Sequence, residues 1–417
     1  MWTRRRFIQA ALASGLGAVV PANGGCSQAP SAGAIREALA ALRALRVKPP
    51  PLEGFVEFRG VVHAHTNLSH DSTGTVQEIL EAARLAKLDF LVITDHYTPR
   101  IFTEGIEGRK DSVLIVRGVE VALGCTRGGS LARRCASVLA IGLREPLVPG
   151  ENEQWDWDEL FKSIQKQGAL SIIAHPRGMM NSSYFQYADG IEIYDIADTV
   201  RDHLVDVPRY VLNFALDGNE YHEELVLQML VERANWNLIE WDRFTKTRRC
   251  IGLAGNDAHQ NLSVFGRQVD PYPLAFKALN THVLVPSGTS ESLQAFAPEL
   301  TTETLVAALR AGRCFASFNL MADATGFRFA AHAGGDGAVV AVLGDEIPAQ
   351  PGLVLVAQSP VPGLLELLRD GVPIRSQEGR ELRHHVDRPG VYRVEVSLRV
   401  VDRWRPWIFA NPIYVRA

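Results

Sequence analysis

From Val56 onward the spacing of apolar positions switches back and forth between two periods. Short apolar runs, Gly60-Val61-Val62 and then Phe90-Leu91-Val92-Ile93-Thr94, are separated by residues 76–88, where apolar positions recur at helical spacing. Further β-rich runs fall at 113–121, 137–141, 170–174, 190–194, 251–254 and 282–285. Helical stretches lie between or after them at 156–167, 208–217, 223–235 and 302–311. Such alternation predicts an α/β unit of parallel strands joined by crossover helices. Past about Asn319 the pattern becomes apolar–polar alternation punctuated by Gly and Pro. Strands are expected at 337–342, 352–358, 364–368 and 391–398, with turns at Pro362-Gly363 and Pro389-Gly390, so residues 321–417 predict a small all-β sandwich. Upstream, an Ala-, Leu- and Arg-rich helix at 34–46 is closed off by Pro49-Pro50-Pro51.

A chain of 417 residues is long enough for two or three such units. The expected division is a targeting segment at 1–25, a helix and Pro-rich linker at 26–54, the strand–helix unit at 55–320 and the sandwich at 321–417. Arg4-Arg5-Arg6 precedes an apolar run over 7–20 that is too short to span a bilayer, which is the layout of an export signal. Thr3-Arg4-Arg5-Arg6-Phe7-Ile8-Gln9 resembles the twin-arginine signal, which implies delivery of an already folded protein to the periplasm. Gly24-Gly25-Cys26 resembles the end of a lipoprotein cleavage box, although Asn23 stands where an apolar residue is usual; a lipid anchor at Cys26 and simple cleavage are alternatives. The formal net charge is −4, and no Lys/Arg stripe runs along a helix, so no nucleic-acid partner is expected. No cysteine pair has C-x-x-C spacing, which argues against a thiolate zinc site. Cys125 and Cys135 flank a Gly/Arg-rich loop, where a disulfide and two buried thiols are both allowed.

Metal-competent side chains fall repeatedly just after the predicted strands: His63 and His65, Asp95-His96, Glu120, His175, Asp257 and His259. In a closed β/α barrel those strand ends converge on one face. On a strand, residues i and i+2 point to the same side, so His63 and His65 are expected to face one ion. Asp71 follows in the next loop. Burying so many ionisable groups would cost several kcal/mol each unless divalent cations compensate them. Imidazole and carboxylate donors without cysteine suit Zn²⁺, Mn²⁺ or Fe²⁺. His70, beside Asp71, is a candidate general acid or ligand, and Arg177, after His175-Pro176, a candidate phosphate fork. Asp95 is expected to orient an imidazole rather than to ligate.

His63-Ala64-His65 with Asp71, Thr94-Asp95-His96, Glu120, Ala174-His175-Pro176 and Asn256-Asp257-Ala258-His259 together resemble the polymerase and histidinol phosphatase (PHP) family. The resemblance covers about 56–318 and implies a distorted seven-stranded, TIM-like β/α barrel. It also implies two or three divalent metal ions and hydrolysis by a metal-bound hydroxide. By that resemblance Glu120 bridges a pair of ions and Asp257 ligates and takes a proton from water. His63 and His65 hold the first ion, His175 completes the second, and Asp71, His96 and His259 form the remaining position. Gly312-Arg313-Cys314-Phe315-Ala316-Ser317-Phe318 and the closing run from Pro406 to Val415 resemble an exported, carbaryl-hydrolase-like branch. Family members often carry one more histidine between the equivalents of His175 and Asp257. Here that strand end reads Glu192-Ile193-Tyr194-Asp195, and His203 and His222 lie in helical stretches, so two ions are the expectation. A small-molecule phosphate mono- or diester is the leading substrate class. A carbamate, carboxylic ester or amide is the alternative on the same scaffold, and a non-catalytic metal-binding envelope protein is a third reading.

Overall fold

The computed structural model describes residues 30–125, 135–148, 155–178, 182–196, 198–199, 207–264, 266–287, 299–334, 337–401 and 403–417. The export signal, Cys26, His203 and loop residues 126–134 lie outside them. The chain is mixed α/β, and its large sheet holds both parallel and antiparallel pairs. The candidate residues follow or belong to five of the strands β1 (Phe55–Ala64), β2 (Phe90–Ile93), β3 (Val113–Cys125), β4 (Cys135–Ile141), β5 (Leu170–Ala174), β6 (Gly190–Asp195) and β7 (Ile251–Gly255), all but β4 and β6. Each of these strands is hydrogen-bonded to the next. The segment after β7 then returns to β1. The Asn256 N–H donates to the Val62 carbonyl at 3.1 Å, and the His65 N–H to the Ala258 carbonyl at 2.9 Å.

One strand departs from the expected all-parallel order, since β4 runs antiparallel to both β3 and β5. The connection from Cys125 to Cys135 is too short for a crossover, so β4 must turn back, and β5 restores the common direction. Apolar residues on both faces of these strands are buried, among them Val61, Val62, Leu91, Val92, Ile172 and Ile173, as parallel sheets covered on two sides require. The helix Val76–Leu85 closes against them with Ile79, Ala82 and Ala83, and its start is fixed by a reciprocal Thr75–Glu78 cap. The two helices expected at 208–217 and 223–235 correspond to the two parts of Val207–Leu230, which meet at a kink at non-helical Tyr221, the second ending at Leu230; a further helix, Asn235–Thr245, follows.

β1 changes partners along its length within the one sheet. Its first half pairs antiparallel with β8 (Asn280–Pro286), its second half parallel with β2, and the change comes at Gly60. A Cβ at position 60 would lie 2.4 Å from the Phe90 carbonyl oxygen, so only glycine allows the two backbones to approach there. β8 pairs with β9 (Cys314–Ser317), which pairs in turn with a strand near the carboxyl end, so the sheet continues into the second unit.

That unit contains β10 (Arg328–His332), β11 (Val339–Val342), β12 (Glu346–Pro348), β13 (Val354–Arg369), β14 (Val372–His385), β15 (Gly390–Val400), β16 (Arg403–Ala410) and β17 (Ile413–Arg416). No turn forms at Pro362-Gly363. β13 runs straight through it with a break in register between Gln358 and Gly363. A Cβ on Gly363 would sit 2.5 Å from the Ser397 carbonyl oxygen, so this glycine serves close strand approach rather than reversal. β14 was not expected at all, because Arg375, Ser376, Gln377 and Glu378 are exposed and its run lacks an apolar face.

A buried ionic network ties the carboxyl-terminal strands to the helix Asn235–Thr245. Arg393 of β15, with its side chain 1% exposed, grips Asp242 of the helix Asn235–Thr245 through two hydrogen bonds of 2.6 and 2.7 Å, and donates to Glu395 at 2.6 Å. Glu395 also accepts two hydrogen bonds of 2.8 Å from Arg233. Burial alone would raise the Glu395 carboxyl, but Arg233 and Arg393 outweigh it and hold it below the usual carboxylate range. Removing one member strands a buried charge, so Asp242→Asn is expected to cost about 3–5 kcal/mol in urea unfolding. Because the folded Glu395 pKa is depressed, its contribution is complete above the ordinary value of about 4.3 and is lost as pH falls through the folded value. The urea midpoint should therefore fall more steeply below about pH 4.3 in the wild type than in Glu395→Gln; parallel curves would refute this role.

Candidate metal centre

The strands deliver their polar ends to one pocket. His63 is the next-to-last residue of β1, His65 and His96 follow β1 and β2, Glu120 lies within β3, and His175 and Asp257 follow β5 and β7. Convergence of His63 and His65 does not come from simple strand alternation. His63 adopts φ 70°, and the register of β1 against β2 breaks between Val62 and Ala64. His175 and Asp257 share this left-handed backbone, with φ 48° and 49°. Such conformations cost non-glycine residues on the order of 1–3 kcal/mol and persist only where the surroundings enforce them.

The donor atoms then fall into three overlapping groups, each able to hold a metal ion: His65, Asp71, His96 and His259; His63, His65, Glu120 and Asp257; and His63, His175 and Asp195. In the second group, the Nε2 atoms of His63 and His65 lie 3.4 and 3.2 Å from Glu120 Oε2, and 3.3 and 3.4 Å from Asp257 Oδ1. Bonds of roughly 2.0–2.2 Å at tetrahedral angles put neighbouring donors roughly 3.3–3.6 Å apart, so these separations fit the edges of one coordination polyhedron. They are poor hydrogen bonds by comparison. Among the described residues, His65 Nε2 is buried without a hydrogen-bond partner, as are Asp71 Oδ1 and Asp195 Oδ2. In the first group, Asp71 Oδ2 lies 3.2 Å from His96 Nε2 and 3.3 Å from His259 Nε2. Glu120 reaches further than one group, since its Oε2 is 3.4 Å from His96 Nδ1 and its Oε1 is 3.6 Å from His175 Nε2.

Electrostatics follow from this crowding. Burial pulls the His63 imidazole down, but Glu192, Asp257 and Glu120 outweigh it and hold it well above the usual histidine range. His96 is lifted to about 9 and His175 to about 10, in each case against burial. Glu120 and Asp71 act on the first, Asp195, Asp257 and Glu120 on the second. Burial would raise the Glu120 carboxyl, yet His96, His63 and His65 keep it well below its normal range. Asp71 is likewise depressed against burial by His259 and His96. The pocket thus holds ionised carboxylates that demand countercharge, supplied by protons on the imidazoles or by bound cations.

The remaining candidates occupy the surroundings. Asp95 accepts from the Thr66 N–H at 2.5 Å, the Thr66 hydroxyl at 2.8 Å and the Ser69 hydroxyl at 3.0 Å. Ser69 Oγ in turn lies 3.0 Å from His65 Nδ1 and accepts from the His96 backbone N–H at 2.9 Å, so Asp95 acts on the His65 imidazole and the His96 main chain through this hydroxyl. His70 is exposed, its ring 4.8 Å from that of His96. Arg177 is half-buried on the 3-10 turn Pro176–Gly178. His222 donates to the Val269 carbonyl at 2.9 Å and belongs to none of the three groups.

Sequence reasoning missed two carboxylates. Glu192, fully buried, lies with Oε1 2.7 Å from His63 Nδ1, and Asp195 Oδ1 lies 3.0 Å from His175 Nδ1. The signal was present: an acidic residue inside the apolar run Gly190–Tyr194 cannot be buried without a partner.

The chain matches no protein-family model and no curated protein. Among solved structures it is similar to a two-domain protein of Bacteroides vulgatus containing a predicted PHP-like metal-dependent phosphoesterase. That likeness has 16% identity, covers 88% of this chain and 98% of that one, and has a TM-score of 0.36. PsfC of Pseudomonas syringae matches at 14% identity over 63% of this chain and 91% of that one, with a TM-score of 0.33. An amidohydrolase of Chromobacterium violaceum matches at 13% over 48% and 87%, with a TM-score of 0.30.

The electrostatics yield a test. In metal-free protein, the raised His96 and His175 values mean that their stabilisation is complete below the ordinary histidine pKa of about 6.5 and is lost as pH rises through about 9 and about 10. Because a bound ion takes neutral imidazole, saturating Zn²⁺ should remove most of that alkaline loss. Thermal melts with and without the ion check this; a metal-free midpoint that stays level from pH 6.5 to 10 would refute it.

Proposed function

We propose that the chain is a PHP-type metal-dependent hydrolase of small-molecule phosphate mono- or diesters. In this reading β1 to β7 form the distorted seven-stranded barrel, and residues 321–417 a β-sandwich beside it. The observation that carries the proposal is the reach of Glu120, whose two oxygens face different imidazoles: Oε2 lies within 3.4 Å of His63, His65 and His96 nitrogens, and Oε1 within 3.6 Å of His175 Nε2. A carboxylate so placed suits two closely spaced ions, the arrangement that favours in-line displacement at phosphorus. Two or three Zn²⁺, Mn²⁺ or Fe²⁺ ions held by His63, His65, Asp71, His96, Glu120, His175, Asp257 and His259 would acidify a water and neutralise charge growing on phosphoryl oxygens.

The chain's own groups would do the rest. Asp257, whose Oδ1 faces His63 and His65 and whose Oδ2 is 3.9 Å from His175 Nε2, would take the proton of the attacking water. His70, exposed beside His96, would hand a proton to the leaving oxygen. Arg177, on the turn that follows His175, would fork around a phosphoryl oxygen. The Arg4-Arg5-Arg6 segment would direct the folded protein to the periplasm, with Cys26 available for a lipid anchor.

The test is turnover by purified full-length protein, stripped with chelator and reloaded with Mn²⁺ or Zn²⁺. It is offered nitrophenyl phosphate, bis-nitrophenyl phosphate and aryl carbamates. Phosphate ester turnover is expected, abolished by stripping, lowered about 10²–10⁴-fold in kcat by Asp257→Asn, and weakened chiefly through KM by Arg177→Ala. Turnover of carbamates alone would reassign the substrate class. A fully metal-loaded protein inert to all three would favour a non-catalytic binding role.

A further inference from the structure

We propose that Glu192 is a positioning residue that holds two halves of the metal centre in register; this rests on the hydrolase reading above. Its carboxylate makes two contacts of different kinds. Oε1 is 2.7 Å from His63 Nδ1, and Oε2 accepts the backbone N–H of His175 at 3.1 Å. Both partners carry the left-handed backbone described above, φ 70° and 48°, and both belong to the ligand groups. One buried carboxylate therefore fixes the ring of the first and the main chain of the second. With Nδ1–H committed to Glu192, the His63 Nε2 is turned toward Glu120 and Asp257, which is the tautomer a metal ligand needs.

The fold makes room for this carboxylate specifically. A Cβ on Gly255 would fall 2.2 Å from Glu192 Oε1 and 2.4 Å from its carboxyl carbon, so the glycine at the end of β7 leaves the space that the side chain fills. The backbone of Glu192 is held too, its carbonyl accepting from Asn237 Nδ2 at 3.1 Å. β6 shifts register against β7 between Glu192 and Tyr194, which lets Asp195, three residues on, contact His175 Nδ1 as Glu192 contacts His63.

The experiment uses ¹⁵N-histidine-labelled full-length protein and the variants Glu192→Ala, Glu192→Gln and Gly255→Ala, each checked for wild-type circular dichroism. In metal-free wild type, a downfield, slowly exchanging imidazole N–H resonance, assigned by its loss in His63→Asn, is expected, and Glu192→Ala should abolish it. Zn²⁺ affinity by chelator competition should fall about 10- to 100-fold in Glu192→Ala. It should fall less in Glu192→Gln, which keeps one oxygen for His63, and should also fall in Gly255→Ala, which displaces the carboxylate without removing it. Wild-type affinity and a retained resonance in folded Glu192→Ala and Gly255→Ala would overturn the proposal. Uptake of less than one ion per chain by the wild type would instead overturn the hydrolase reading. The resonance then still decides whether Glu192 orients His63, its loss in Glu192→Ala supporting that role and its persistence refuting it.

Discussion

Five carboxylates, Asp71, Glu120, Glu192, Asp195 and Asp257, interleave with the imidazoles of His63, His65, His96, His175 and His259 in one largely buried pocket, and the surrounding structure is arranged around that charge. A buried anion without countercharge is worth several kcal/mol of instability, more than most single contacts return. Protons on the rings offer one remedy and divalent cations another. The geometry favours the second, because nitrogen and oxygen atoms 3.2–3.4 Å apart are spaced for a shared ion rather than for strong hydrogen bonds to one another.

Holding those atoms in place consumes much of the local fold. Three ligand-bearing residues, His63, His175 and Asp257, take left-handed backbone, and Glu192 meets the first two, at the His63 ring and the His175 main chain. The loop after His65 is braced from below, where Ser72 Oγ donates to the His259 carbonyl at 2.7 Å and the Tyr272 hydroxyl to the His65 carbonyl at 2.6 Å. Gly74 admits Tyr272, since a Cβ there would fall 2.0 Å from its hydroxyl. The left-handed residues of the centre thereby sit at or just beyond strand ends, while Glu120 and Glu192 enter the pocket from within their strands.

How much of this could be read from the chain depended on the residue. The β/α rhythm was legible because the central strands are continuous apolar runs, and the observed β5, Leu170–Ala174, coincides with the expected run. The reversal of β4 was not, because strand direction is decided by connection length and pairing rather than by composition. β14 was invisible, since an exposed strand held mainly by backbone hydrogen bonds needs no apolar pattern. His63 and His65 were recognisable as a pair, but the bulge that turns them inward leaves no mark in an H-x-H motif. Glu192 and Asp195 were less legible for a different reason: they belong to none of the motifs that carry the resemblance, and only their contacts in space, with His63 and His175, tie them to the centre.

The carboxyl-terminal unit belongs to the same mechanical problem. Asn411 accepts from the Gly252 N–H at 2.9 Å and donates to the Gly252 carbonyl at 2.8 Å, occupying β7 as a neighbouring strand would, and the Tyr414 hydroxyl accepts the Cys250 N–H at 3.1 Å. The helix Asn235–Thr245 faces both ways, since Asp242 is gripped by Arg393 while Asn237 holds the Glu192 carbonyl. The unit therefore braces β6 and β7, the adjacent strands that carry Glu192 and Asp195 and lead into Asp257. A few tenths of an ångström matter to metal coordination, and the left-handed residues beyond β5 and β7 have to be held to that tolerance. Fixing the far side of those strands with buried hydrogen bonds is a physical reason for a second unit to share the sheet rather than hang from a linker.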